Sequence, residues 1–370
     1  QGGAKVTHKG SIYEAKWWTQ NEEPSSGGDA SAWKQIGSAT VASSSSNTSN
    51  TGGKEMDSNL PVKEPTGAND KGFKVIGYYP DWEPDKMDRL QMDILTHINY
   101  SFAIPQSDGT IMPLEHPDNA KNVIKKAHQH DVKVLLAVGG WSYKEIPLEP
   151  NFISATDSPE KVKKLANAIM AMVKQYGFDG VDMDWEHPRV DGNTSKQYEA
   201  LMLNLASQLH SQKKLLTSAV LSGVSADGTI MYDAAAHHDS VLNAVDWINV
   251  MAYDGGDGER HSSYDFHVNS GNYWIKTRKM NKNKVCVGVP FYGRPSWESY
   301  DNILAANPSA DKSDISTIKG IQAHYNGVAT IEKKSKWNKA NCGGVMIWEI
   351  TQDTTDKQKS LLSTIGRAVK

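Results

Sequence analysis

From Phe73 to the end of the chain, short apolar runs alternate with amphipathic, charged segments. Eight such runs can be counted, at residues 73–79, 97–102, 132–138, 180–185, 216–220, 247–252, 284–291 and 344–348. Nearly continuous apolar runs are typical of strands buried on both faces, as in a parallel sheet. Helical patterns lie between most of them, for example at 162–173. Eight strand–helix units predict an α/β fold, a (β/α)₈ TIM barrel, with a closing helix at 356–369.

The first 72 residues follow neither pattern and divide by composition. Residues 1–37 hold three Trp and one Tyr among Gly, Ser and Lys. Residues 38–53 are rich in Ser, Thr, Asn and Gly, and residues 54–72 stay polar with two prolines. Such segments cannot bury enough apolar area to offset the entropy of ordering them. We therefore predict a small module at 1–37, a flexible linker at 38–72 and one large domain at 73–370.

Composition narrows the function classes. The net charge of −3 over 370 residues gives no basic excess, which disfavours nucleic-acid binding. No apolar run approaches the roughly 18 residues that span a membrane. Cys286 and Cys342 lie in apolar segments, which predicts two buried free thiols. The chain begins at Gln1 with no charged or apolar leader, so either a signal peptide has been removed or the chain is a fragment.

The most informative stretch is residues 178–186, which carries four carboxylates, at Asp179, Asp182, Asp184 and Glu186. The last three are spaced by two, so in a strand they point to the same face. Like charges this close cannot all ionise, and at least one pKa must rise, which keeps a proton donor available near neutral pH. The alternative is a calcium loop or a solvated acidic edge. The apolar flanking residues, without the Gly and Asn rhythm of a calcium loop, disfavour it.

Barrels of this kind place their chemistry at the carboxyl ends of the strands. Taken singly, an aromatic residue at a strand end is more often structural than functional. Aromatic and charged side chains gather at this rim, and the shared position favours a site. The strand ends at this rim include Tyr78, Trp141, Glu186, Met251, Tyr253, Asp254, Arg294 and Trp348.

The run Asp179-Gly180-Val181-Asp182-Met183-Asp184-Trp185-Glu186 resembles the DGxDxDxE motif of family 18 glycoside hydrolases, the chitinase family. The resemblance extends from Phe73 to the end and includes Gly139-Gly140-Trp141, Met251-x-Tyr253-Asp254 and Trp348. One departure is Ala137, where the family usually has a Ser that contacts the middle Asp, so Asp182 would lose a hydrogen-bond partner. The interval 294–343 holds about 50 residues, and most of them are expected to form the helix after the seventh strand. That leaves too few for the α+β domain that some members insert, which implies a shallow cleft without it.

This resemblance implies a retaining, substrate-assisted mechanism, which the family uses in place of two opposed carboxylates. Glu186 would protonate the glycosidic oxygen, and the 2-acetamido oxygen of the substrate would attack to give an oxazolinium ion. Asp184 would orient the acetamide, Asp182 would hold a proton shared with Asp184, and Tyr253 would donate to the acetamide oxygen. The implied substrate-binding residues are Trp348 as the floor, Tyr78, Met251, Asp254 and Arg294 around the same sugar, and Trp141 beside the next. The family also implies non-proline cis peptides at Ser101–Phe102, Glu186–His187 and Trp348–Glu349.

The N-terminal pattern Tyr13-x-Ala15-Lys16-Trp17-Trp18-Thr19 resembles the small all-β chitin-binding module of carbohydrate-binding families 5 and 12. An aromatic-containing segment that opens those modules is missing here, which indicates a truncated module. Tyr13, Trp17 and Trp18 are its candidate chitin-binding residues. Neighbours in a strand face opposite ways, so one Trp should be exposed and the other buried. The alternative is that both form only the core of the module.

Together these features predict a secreted, extracellular, monomeric chitinase that is endo-acting on chitin and chitooligosaccharides and needs no cofactor or metal. Two alternatives stay open. A lectin of the same family would lack the catalytic Glu, but Glu186 and Asp184 are both present. An enzyme that cuts N-linked glycans at the chitobiose core is the other alternative, and the chitin-type module favours a polymer instead.

Overall fold

The computed structural model describes residues 5–8, 11–15, 33–38 and 72–370. The chain forms two compact units, Gln1–Pro61 and Val62–Lys370. In the first unit, strands β1 (Lys5–His8), β2 (Ser11–Ala15) and β3 (Trp33–Ser38) form an antiparallel sheet in that order. The proposed linker, apart from its two end residues, lies outside the described residues, and the domain limits stay a prediction.

The second unit is a closed barrel of eight parallel strands, so the predicted fold is confirmed. Its strands follow in chain order around the barrel and pair at the closing seam, where Val345 lies opposite Val75. They are β4 (Lys74–Pro80), β5 (His97–Ala103), β6 (Lys133–Gly139), β9 (Gly180–Asp184), β10 (Leu215–Leu221), β11 (Trp247–Met251), β12 (Val285–Pro290) and β15 (Gly344–Trp348). Each of the eight apolar runs coincides with one of these strands within two residues at either end.

Helices cover the outside of the barrel. They are α1 (Pro117–His128), α2 (Glu149–Ala155), α3 (Pro159–Tyr176), α4 (Thr194–Ser211), α5 (Asp239–Ala244), α6 (Tyr264–Asn272), α7 (Tyr300–Ala306), α8 (Val328–Asn341) and α9 (Leu361–Val369). In α3 the predicted apolar face is buried, from Val162 to Val173. The Ser158 hydroxyl caps its first turn, and Gly177 ends it in the left-handed conformation at φ 82°. No helix in the described part of the chain is long and apolar enough to cross a bilayer.

Two short hairpins complete the described structure, β7 (Ser142–Tyr143) with β8 (Ile146–Pro147) and β13 (Ile315–Ile318) with β14 (Ile321–His324). The second hairpin corrects an expectation. Most of the interval 294–343 was expected to form the helix after the seventh barrel strand, but α8 takes only its last part. The remainder forms α7 and the hairpin, so the interval holds no separate α+β domain.

The last helix also begins later than predicted, at Leu361 instead of residue 356. Ser360 is extended, and its hydroxyl accepts a hydrogen bond from the Ser363 amide. The Asp353 carboxylate accepts from the amides of Leu361 and Leu362. These two caps, Ser360 and Asp353, determine where the helix starts. The hydrophobic periodicity of the sequence could not show this start, because Asp353 lies eight residues before Leu361.

The barrel interior combines an apolar cluster with buried polar side chains. The apolar members are Ile76, Tyr78, Leu135, Ala137, Leu215, Trp247, Cys286 and Met346. Buried Asp182, Thr217 and Asn249 lie in the middle of their strands, and buried Lys74 and His97 lie at the amino ends of β4 and β5. Cys286 and Cys342 are buried and form no disulfide, as predicted. A cleft opens at the carboxyl ends of the barrel strands.

Candidate active site

Three of the four acids lie together at this end. Asp182 and Asp184 are on the inward face of β9, and Glu186 follows two residues later. The intervening Trp185 points outward and stacks on Phe152 at 4.7 Å. Asp179 is elsewhere: its carboxylate accepts hydrogen bonds at the opposite end of the barrel. The segment is a barrel strand, and no group of acids among the described residues has the arrangement of a metal site, so the calcium-loop alternative is wrong.

The innermost acid, Asp182, is fully buried. Its carboxylate accepts hydrogen bonds from the Tyr78 hydroxyl at 2.5 Å, from the Asn249 amide at 2.9 Å and from the Thr217 hydroxyl. Burial raises the pKa of Asp182 to about 6, and the three donors limit the rise. Ala137 and Thr217 lie in register with Asp182 on its two neighbouring strands. Thr217 therefore provides a hydroxyl to this carboxylate although Ala137 provides none.

Asp184 has the opposite environment. It is buried, and its Oδ1 has no hydrogen-bond partner. Burial, followed by the charges of Glu186 and Asp182, holds the pKa of Asp184 well above its usual range. Both carboxyls therefore have raised pKa values, and hydrogen-bond donors limit the rise only at Asp182. The predicted sharing of one proton between Asp182 and Asp184 stays a prediction.

Glu186 stands at the mouth of the cleft. Burial and then the charge of Asp254 raise its pKa to about 7, so it is a proton donor near neutral pH. His187 Nε2 lies 3.4 Å from its Oε2. Burial and then the charge of Arg189 lower the pKa of His187 to about 4, so that ring is neutral.

The three expected non-proline cis peptides are all present, at Ser101–Phe102, Glu186–His187 and Trp348–Glu349, and Arg294–Pro295 is also cis.

Asp254 carries the charge that acts on Glu186. It follows β11 and has a positive φ of 57°. Its carboxylate accepts hydrogen bonds from the Tyr292 hydroxyl at 2.7 Å and from Arg294 Nη1 at 3.1 Å, and His261 Nδ1 lies 3.2 Å away. His261 and Tyr292 contribute most to lowering the pKa of Asp254 although burial opposes them. Asp254 is thus a fixed negative charge, paired with Arg294.

Aromatic side chains form the walls of a cleft of about 790 Å³. Trp348 packs edge-on against Tyr78 at 5.4 Å and stacks on Phe102 at 5.8 Å, which fixes it as a platform. The Tyr253 hydroxyl lies 3.8 Å from the Met346 sulfur, and burial holds the Tyr253 pKa well above its usual range, so the phenol stays a donor. The sequence-predicted residues that line the cleft are Tyr78, Trp141, Asp184, Glu186, Met251, Tyr253, Asp254, Arg294 and Trp348, with Asp182 beneath them.

Two exposed tryptophans in the cleft were missed by the sequence analysis. Trp82 is 53% exposed, Trp297 is 61% exposed, and the predicted Trp141 is also 61% exposed. The Arg294 guanidinium lies 3.9 Å from the centroid of the Trp297 ring. This cation–π contact fixes the ring on one side while most of its surface stays exposed. Each missed Trp follows a noted rim residue closely, Trp82 four residues after Tyr78 and Trp297 three residues after Arg294. Extending the search past the rim into the following loops would have found both.

In the N-terminal unit, the structure corrects one residue. Tyr13 is 8% exposed and belongs to the buried residues of its sheet, so its ring is not available to a polymer. Its place in the pattern reflects packing. Trp17 and Trp18 lie outside the described residues, and their roles stay predictions.

Comparisons with known proteins agree with this geometry. The family model described as "Glycosyl hydrolases family 18" matches residues 74–353, and "Carbohydrate-binding module family 5/12" matches residues 1–34. Chitinase 1 of Aphanocladium album is 24% identical over 82% of this chain and 88% of its own length. Chitinase A1 of Niallia circulans is 26% identical over 61% of this chain, but over 43% of its own length. The crystal structure of a chitinase from Bacteroides thetaiotaomicron superimposes with a TM-score of 0.68 at 30% identity, over 80% of this chain and 96% of that one.

Proposed function

The chain belongs to family 18 of the glycosyl hydrolases, and we propose from that premise that it is a chitinase acting by a retaining, substrate-assisted mechanism. Its substrate is a polymer of β-1,4-linked N-acetylglucosamine. One observation carries the proposal: Asp184 and Glu186 leave β9 toward the same side of the cleft, both with raised pKa values. Asp254, the charged acid nearby, is held by Arg294 and Tyr292. The other carboxylates that line the cleft in the described part of the chain, Asp81 and Glu115, contact His116 and Tyr143. We therefore infer that the acetamide of the substrate, and not a second carboxylate, supplies the nucleophile.

The proposed reaction follows from these charge states. Glu186 donates its proton to the glycosidic oxygen while the acetamide oxygen attacks the anomeric carbon. Asp184 passes its proton to the Asp182 carboxylate and accepts a hydrogen bond from the acetamide N–H. The negative charge left on Asp184 offsets the positive charge of the oxazolinium ion. Tyr253 donates to the acetamide oxygen, and Trp348 supports the distorted sugar. Glu186, now ionised, then takes a proton from water, and the product keeps its anomeric configuration.

The cleft favours a polymer over the alternatives. Trp82, Trp141 and Trp297 expose flat apolar faces suited to successive sugar rings. Such a track supports binding within a chain, and hence endo action. A lectin would not need the paired acids with raised pKa values. We also propose that the protein acts outside the cell, where an insoluble polymer would be met. The family 5/12 carbohydrate-binding match at residues 1–34 favours this location.

The mechanism predicts strict dependence on the acetamide. The protein should hydrolyse chitohexaose with retention, seen as initial β-anomer by ¹H NMR, and leave cellohexaose intact. The two oligomers share the β-1,4 backbone and differ at C2, so cellohexaose is the matched control. Equal turnover of the two, or an α-anomeric first product, would contradict the proposal.

The N-terminal unit predicts a separate effect. Removal of residues 1–53 should leave the rate on soluble chitohexaose unchanged, because the cleft belongs to the second unit. On insoluble chitin it should reduce adsorption and slow hydrolysis, because a tethered module raises the local enzyme concentration. A Trp17→Ala/Trp18→Ala variant in the full chain should behave like the deletion. Unaltered adsorption of both variants would mean that the unit does not bind chitin.

A further inference from the structure

A loop at residues 252–262, here called the β11 loop, carries two groups of the site, Tyr253 and Asp254. The loop is closed at its base. The Ser262 hydroxyl donates to the Ala252 carbonyl at 3.1 Å, and the Gly255 amide donates to the His261 carbonyl at 3.2 Å. What holds Ser262 therefore also holds the segment that presents Tyr253 and Asp254.

Ser262 is held by a buried lysine on α8. Lys334 has no exposed surface. Its Nζ donates to the Ser262 carbonyl at 2.7 Å, to the Ser262 hydroxyl at 2.8 Å and to the Asn326 side-chain oxygen at 2.7 Å. The Asn326 amide donates in turn to the Ser262 carbonyl at 2.9 Å. Three segments, α8, the turn before it and the β11 loop, are thus joined through one ammonium group.

This ammonium has an unusual environment, because all three of its acceptors are uncharged oxygens. The nearby Asp314 carboxylate accepts from the Gly327 amide at 2.7 Å and from the Thr330 hydroxyl. Burial accordingly lowers the pKa of Lys334 to about 7. A buried ammonium that touches no carboxylate is unfavourable for stability, although the charge of Asp314 offsets part of that cost, and an apolar residue could fill the same volume. An apolar residue could not make the three hydrogen bonds that Lys334 Nζ makes to Ser262 and Asn326.

We propose that Lys334 is a positioning residue that fixes the β11 loop, and through it the distance of Tyr253 and Asp254 from Glu186. The inference rests on the proposed function of that site. Asp254 acts on Glu186 by charge, and Tyr253 must meet a specific substrate oxygen. Small displacements of either group therefore matter more for the rate than for substrate affinity, which comes from the aromatic walls.

The test compares two buried polar residues of the same helix. Lys334→Met removes the ammonium and keeps an unbranched side chain. Asn338→Ala is the matched control, because Asn338 is equally buried one turn later but binds His267 and the Val287 carbonyl instead of the loop. On chitohexaose, well below either melting temperature, Lys334→Met should lower kcat roughly 10-fold to 100-fold with KM within about threefold. Asn338→Ala should keep kcat within about twofold of wild type.

A second measurement does not depend on activity. Hydrogen–deuterium exchange of the peptide covering residues 252–262 should become faster in Lys334→Met and in the milder Ser262→Ala, and should stay unchanged in Asn338→Ala. Wild-type kcat in Lys334→Met, or unchanged exchange of this peptide in both loop variants, would overturn the inference. If wild type fails to hydrolyse chitohexaose, the proposed function fails, and the exchange experiment alone decides whether Lys334 holds the loop.

Discussion

Replacement of Glu186 by Gln is expected to lower kcat on chitohexaose by roughly 10²-fold to 10⁴-fold, the usual contribution of a positioned general acid. The amide keeps the shape of the side chain but cannot donate an acidic proton. The aromatic walls around Trp348 and Trp141 are untouched, so oligomer binding, measured by calorimetry, should persist. The loss should therefore appear in kcat and not in affinity.

Glu349→Gln is the matched control for this substitution. Glu349 also follows a barrel strand and is buried, and burial raises its pKa to about 7. Its carboxylate binds the amide and the hydroxyl of Thr351 and does not line the cleft. This variant should keep its kcat near the wild-type value even if its melting temperature changes. A kcat of Glu186→Gln within tenfold of the wild-type value would contradict the role of Glu186 as the general acid.

The same pKa shift has a consequence for stability. Burial raises the pKa of Glu186 from 4.5 to about 7, so between these values the folded chain holds a proton that the unfolded chain has lost. Stability contributed by this group is therefore present below about pH 4.5 and falls as the pH rises toward 7. Glu186→Gln removes the dependence, so its melting temperature should exceed that of wild type at pH 8. In wild type, kcat/KM should fall above about pH 7 as Glu186 of the free enzyme loses its proton.

The barrel and the acidic strand were predictable because both depend on local patterns. A strand has a period of two, so three acids spaced by two must share a face wherever the strand lies. Likewise, eight apolar runs separated by helical patterns have few arrangements other than a closed barrel. The rim residues followed from the same rule, since parallel strands end on one side. None of these inferences requires knowing which strand lies beside which residue.

The surroundings of the acids could not be predicted in this way. Thr217 and Asn249 interrupt apolar strands, which marks them as unusual, but only the register between strands brings them to Asp182. Likewise, the contact of Asp254 with His261 depends on how the β11 loop closes. The distribution of protons between Asp182 and Asp184 is set by these non-local donors. That is why the sequence could place the acids on one face of a strand but not the donors that set their pKa values.

Asp184→Asn should give the second large loss, a kcat roughly 10²-fold to 10³-fold below wild type, comparable to removal of one electrostatic contact in a transition state. In the proposed reaction, Asp184 must become a carboxylate facing the acetamide N–H, and an amide can neither ionise nor offset the oxazolinium charge. The ground-state contacts with Trp348 and Trp141 stay in place. KM on chitohexaose should therefore change far less than kcat.

The charge state of Asp184 also determines what the substitution does to the fold. Because burial holds the pKa of the Asp184 carboxyl well above its usual range, a neutral amide of the same shape should leave the melting temperature close to that of wild type near pH 7. Asp353→Asn is the contrasting control, because that buried carboxylate caps α9 outside the cleft. It should lower the melting temperature and spare kcat. If Asp184→Asn instead destabilises the barrel while keeping kcat within tenfold of wild type, Asp184 is a structural acid and the substrate-assisted mechanism loses its orienting group.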